Sequence, residues 1–171
     1  MLAQLLDNTM EETVGSIEKK LQAMGLALPE AHPMPNPNRT PCVLVGNILY
    51  LSGHGSARIP GPDDLRRTGK VEAEVSEQEA SRTARYVALA MMASIKHEVG
   101  DLDRVKRVIR LYGMINSSPG YERQFAVMDG ASDLFYEVWG PKFGQHARAA
   151  VGIYELPRRS VIEIMGEFEV E

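Results

Sequence analysis

Apolar residues recur along this chain at two periods, and the switches between them outline its elements. Val14, Ile17, Leu21 and Met24 stand at helical spacing, after Thr9 and Glu12 at the spacing of a capping box. The pattern predicts a helix over 9–24, stopped by Gly25 and docked on the rest of the domain. The next run, 29–41, holds five of the ten prolines and reads as an extended connection, over this domain or over a neighbouring subunit. Cys42–Val45 and Ile48–Ser52 are short β-rich runs flanking Gly46-Asn47, which predicts a hairpin. Gly53-His54-Gly55 then loosens the backbone. Residues 55–70, rich in Gly, Pro and Asp, read as a long loop, a lid or a plain surface excursion.

The helical period returns over 76–98. Ser76 and Glu79 make a second capping box, and Ala80, Ala84, Val87, Met91 and Ile95 mark the buried side. Residues 104–113 read as a strand with Val105, Ile109 and Leu111 on one face. Pro119-Gly120 opens another helix running to about Val138, with Phe125, Met128, Leu134 and Phe135 or Val138 as core positions; Gly130 argues against its continuity. From Ala147 to Tyr154 and from Ser160 to Val170 the period is two, and Leu156-Pro157-Arg158-Arg159 supplies the turn of a closing hairpin. The order of strands and helices predicts an α+β fold, one mixed sheet with two helices on one face. Residues 1–40 would form a helical and proline-rich extension and 41–171 the α+β domain.

In the closing segment Arg148 shares a face with Ala150 and Gly152, and Glu163 shares one with Val161 and Met165; both charges are expected on the open face of the sheet. Charges amid small and apolar strand residues are paired with each other, exposed on an open face, or functional. The remaining composition narrows the choices. At 171 residues the chain has one domain's length, and no apolar run is long enough for a membrane-spanning helix. The single cysteine, Cys42, cannot form an intrachain disulfide, and the first residues lack the pattern of a signal peptide, so a cytoplasmic protein is expected. With a net charge of −4 and scattered basic residues, a nucleic-acid partner is not expected. Histidines 32, 54, 97 and 146 show no ligand spacing, so neither a metal nor another cofactor is called.

The segment HARAAVGIYELP followed by VIEI resembles the C-terminal signature of the Rid (YjgF-type) proteins, and LYLSGH at 49–54 resembles their Ser-Gly segment. The resemblance runs from about Pro41 to Val170. It implies a chorismate-mutase-like fold assembled as a homotrimer around a central barrel, with ligand sites in the clefts between subunits. It also implies an activity: hydrolysis of reactive 2-imino or 2-enamino acids to 2-keto acids and ammonia. Arg148 would hold the substrate carboxylate, Glu163 would position and polarise the water, Ser52 and Gly53 would offer main-chain N–H groups, and Ala150 its carbonyl. Three departures accompany it: Ala150 replaces a cysteine, Arg39-Thr40-Pro41-Cys42 replaces a Gly-Pro-Tyr motif, and Asp129 replaces an asparagine. These leave open a second class, a non-catalytic small-carboxylate-binding protein or metabolite sensor on the same trimer. His54, where the family often has glutamine, reads as a structural or solvent-exposed residue.

Overall fold

In a computed structural model, residues 15–31, 34 and 36–171 are described. Helix α1 spans Ser16–Ala23, strands β1 Cys42–Val45 and β2 Ile48–Gly55, helix α2 Glu77–Val99, strand β3 Val105–Asn116, helix α3 Gln124–Phe143, and strands β4 Ala147–Ile153 and β5 Ile162–Val170. The strands form one mixed sheet in the order β1-β2-β5-β3-β4. Leu49, Val108, Leu111, Ile115, Ile162, Ile164 and Phe168 are fully buried where the sheet meets α2 and α3. This is the α+β fold expected, with both long helices on one face.

Local signals do what their chemistry requires. Gly46 takes φ +62° in the two-residue turn between β1 and β2, a conformation glycine adopts without a Cβ penalty. Ser76 and Glu79 close a full capping box at the start of α2, satisfying N–H groups the helix itself cannot. The Thr9–Glu12 box lies outside the described residues. In its place, the Asp103 carboxylate accepts from the main-chain N–H groups of Ser16 (2.7 Å) and Ile17 (2.9 Å), capping α1 from across the domain. Leu21 (1 % exposed) and the Lys96–Glu18 ion pair (3.2 Å) hold α1 against the body.

Several expectations need correction. β4 and β5 are not a hairpin: β3 lies between them, antiparallel to β5 and parallel to β4. Parallel neighbours need a crossover, and α3 supplies it between β3 and β4, leaving β5 to enter the sheet centre with its buried Ile162, Ile164 and Phe168. On β3, Val108 is buried and Ile109 is 37 % exposed, because register irregularities between Val105 and Arg107 and between Val108 and Arg110 break the simple alternation. Helix α3 starts at Gln124, past a turn in which the Tyr121 N–H donates to Ser118 O, and Phe125 is half exposed. Finally, Gly53-His54-Gly55 continues β2 rather than leaving it.

Gly130 does not interrupt α3. A Cβ built there would stand 1.9 Å from the carbonyl oxygen of Ser81, so glycine is what lets α3 approach α2 so closely. Gly130→Ala is expected to force the helices apart and cost about 1–3 kcal/mol, read as a lower midpoint in denaturant unfolding.

Candidate functional site

The site begins at an irregularity in β2. Leu51 pairs with Gly166 and His54 with Ile164, so β2 carries one residue more than β5 across this interval, a bulge at Ser52–Gly53. Ser52 fixes the bulge to the proline-rich connection: its Oγ donates to Thr40 O (2.7 Å) and its N–H to Pro41 O (2.9 Å). That N–H is therefore committed within the chain. His54 is buried, with Nδ1 donating to Ser52 O (2.8 Å) and Nε2 at 2.8 Å from Ser94 Oγ. Held on both sides, the ring braces the bulge against α2.

Opposite the bulge, Glu163 of β5 lays its carboxyl group over two glycines. A Cβ at Gly53 would stand 2.1 Å from Glu163 Oε1, and one at Gly55 would stand 3.4 Å from Oε2. The glycines give the carboxyl its seat. Among the described residues nothing donates to it or pairs with it, and burial alone raises its pKa above the ordinary carboxylate value. It opens on a cavity of about 470 Å³ walled by Gly53, His54, Gly55 and Ser160 on one side. A half-buried, uncommitted carboxyl whose proton is held more tightly than usual is suited to accept and return a proton.

Arg148 is elsewhere. It lies on edge strand β4 in register with Leu111, which puts it on the helix-covered face, whereas Glu163 is in register with Met114 on the open face. The open-face position expected for Arg148 is thus corrected. Its guanidinium reaches α3, with Nη2 2.6 Å from Asp129 Oδ1 and Nη1 donating to Ser132 Oγ (3.0 Å). Ser132 also meets His146 Nε2 (3.1 Å), whose pKa is lowered by burial, with the Arg148 charge adding to the effect. Ala150, opposite Gly113, is half-buried against the core. Within one chain, then, Ser52, Gly53 and Glu163 come together, while Arg148 and Ala150 stand on the far edge with β3 between. Two strand spacings, roughly 9–10 Å, and opposite faces of the sheet separate the arginine from the glutamate.

Two features were not called in advance. Asp129, noted in the sequence only as replacing an asparagine, pairs directly with Arg148; its spacing of three from Ser132 on one helix face was the available signal. The other is a set of arginines on the cavity's remaining wall, Arg39, Arg58 and Arg158, which no linear spacing unites.

Residues 18–166 match the model of a family described as "YjgF/chorismate mutase-like, putative endoribonuclease". Protein TCP17 of Trypanosoma cruzi is 38 % identical over 151 residues, 88 % of this chain and 91 % of TCP17. The crystal structure of Atu1372 from Agrobacterium tumefaciens superposes with a TM-score of 0.78 at 35 % identity, covering 90 % of this chain and 91 % of that one. TdcF of Escherichia coli, solved with bound serine, shares the fold at 17 % identity and a TM-score of 0.51, over 84 % of this chain and 94 % of its own. The chain therefore belongs to the YjgF/Rid family and carries its chorismate-mutase-like fold.

Proposed function

We propose that this protein is a homotrimeric deaminase that hydrolyses reactive 2-imino or 2-enamino acids to 2-keto acids and ammonia, in sites formed between subunits. The observation that carries the reading is Glu163, an uncommitted carboxyl with a raised pKa, seated over glycines in a cavity wall. Water adds to the C2 of the imine while a proton passes to the Glu163 carboxylate. That carboxyl passes the proton on to the nitrogen, giving the carbinolamine, and then carries the C2 hydroxyl proton to the same nitrogen as the keto group forms and ammonia leaves. Arg148 from the edge strand of a neighbouring copy holds the substrate carboxylate, since its planar fork matches two carboxylate oxygens and keeps its charge at any working pH. A second copy would also cover the open sheet face, where Tyr50 is 47 % and Met165 37 % exposed. The serine found in TdcF is a small carboxylate-bearing ligand of the same general kind. With purified protein and freshly generated 2-iminopropanoate, keto acid should form well above the buffer rate. Release no faster than in buffer would overturn the enzymatic reading.

One observation favours the second reading, a carboxylate-binding sensor without turnover: Asp129 already occupies part of the Arg148 fork. Asp129→Asn should release that fork and tighten binding of 2-oxobutanoate about tenfold, ~1.4 kcal/mol, by calorimetry. Unchanged affinity would mean that the Asp129 contact does not compete with ligand.

Stability should also report on Glu163. Its folded pKa lies above the unfolded value, so the folded state holds the proton longer as pH rises. The associated stability is complete below the unfolded pKa of about 4.5 and is lost as pH climbs through the folded pKa. Glu163→Gln, which cannot ionise, should therefore melt higher than wild type at pH 7 and lose that advantage by pH 4, in thermal scans at both pH values.

A further inference from the structure

Every arginine among the described residues is committed except three. Arg82, Arg85, Arg110, Arg123, Arg148 and Arg159 are in ion pairs. Arg66, Arg67, Arg104 and Arg107 donate to main-chain carbonyls. The side chains of Arg39, Arg58 and Arg158 have neither ion pair nor hydrogen bond to any described residue. All three line the cavity that holds Glu163. They arrive from three separate places: the proline-rich connection, the turn after β2, and the turn before β5.

The last of these is held in an uncommon backbone. Arg158 and its neighbour Arg159 both have φ +58°, in the left-handed region that residues with a Cβ seldom enter. Arg159 turns away to Glu74 (2.5 Å), which anchors the turn and leaves Arg158 at the cavity wall. The same lining carries two carboxyls, Glu30 and Glu163, against the three guanidinium groups. The lining therefore carries an excess of positive charge. Met34, Ile59 and Pro60 add apolar wall around it. A volume of about 470 Å³ falls within the range of small-molecule sites and exceeds the need of a three-carbon acid.

We infer that this cavity takes the far end of the ligand, and that the far end is an oxyanion: the physiological substrate is a 2-imino acid whose side chain terminates in a second carboxylate or a phosphate. This rests on the reading of Glu163 and Arg148 as the site for the reacting end. Arg148 of a neighbouring copy would hold the carboxylate beside the imine, and Arg39, Arg58 and Arg158 would hold the distal anion, for which clustered guanidinium groups supply fixed forks of N–H donors.

The test is calorimetry on the full-length protein with three keto acids: 2-oxobutanoate, 2-oxoglutarate with its distal carboxylate, and 3-phosphohydroxypyruvate with a distal phosphate. One of the two diacids should bind at least tenfold more tightly than 2-oxobutanoate, and which one does so identifies the oxyanion. In Arg58→Gln/Arg158→Asn the affinity ratio of diacid to monoacid should fall toward one; asparagine tolerates the left-handed backbone. Arg39→Gln, outside both turns, should lower the same ratio independently. Equal affinity for all three acids in the wild type overturns the inference and leaves the Glu163 and Arg148 site standing. A ratio that survives in both variants also overturns it. No binding of any acid overturns the underlying site as well.

Discussion

Arg148→Lys is expected to abolish binding of small 2-keto acids while leaving the fold and assembly unchanged. Lysine keeps the charge and can still meet Asp129, which stands 2.6 Å from the arginine now. It is a point donor on a flexible stem, however, and cannot hold two carboxylate oxygens in one plane. Loss of a bidentate, charge-assisted pair in a secluded cleft costs on the order of 2–4 kcal/mol, about thirtyfold to a thousandfold in affinity. Calorimetry with pyruvate or 2-oxobutanoate measures this, after circular dichroism and sizing show an unchanged protein. If Arg148 serves only to tie β4 to α3 through Asp129 and Ser132, lysine preserves most of that tie and the two proteins bind alike. Equal binding would remove Arg148 from the site.

Gly53→Ala should be as damaging to turnover and far gentler on the fold. The new methyl would sit 2.1 Å from Glu163 Oε1 and 2.9 Å from its Cδ, closer than any real contact. What it meets is the end of a flexible side chain, so Glu163 swings aside and the strand survives. The carboxyl is then displaced by an ångström or more from its seat, which costs a positioned catalytic group about a hundredfold in rate. The expected result is kcat/KM for imine hydrolysis lower by about two orders of magnitude, with a melting temperature within a few degrees of wild type. Activity within fivefold of wild type would mean that the glycine seat has no part in catalysis.

The elements that carry this site could be read from the chain because they are local, while the roles given to Ser52, Gly53 and Glu163 came from the family resemblance. A strand reaching Ser52, a strand carrying Glu amid alternating apolar residues, and capped or turn-bounded elements between them need only short-range chemistry. Where the reading went astray, the cause was pairing between distant segments. β4 offers Ala147, Ala149, Ala150 and Gly152, residues too small to say which face is covered, so the alternation was visible but its direction was not. The placement of β3 between β4 and β5 depends on the α3 crossover, which no residue of the closing segment encodes. Bulges shift the parity of β3, and so Ile109 was put with Leu111 when Val108 is the buried neighbour. Gly130 looked like a helix breaker because its reason, the Ser81 carbonyl, is forty-nine residues away in sequence. The same holds for Arg39, Arg58 and Arg158, which only the folded chain gathers around one cavity.

The central claim is that catalysis needs Glu163 of one copy and Arg148 of another, since the single chain holds them on opposite faces with β3 between. Arg148→Lys and Glu163→Gln chains, each inactive alone, can be refolded together and assayed for imine hydrolysis. If each site takes its arginine and its glutamate from adjacent copies, every mixed trimer contains one intact site, and an equimolar mixture recovers about a quarter of the wild-type activity. A mixture that exchanges subunits, as native mass spectrometry reports, and yet remains as inactive as either variant would contradict the account.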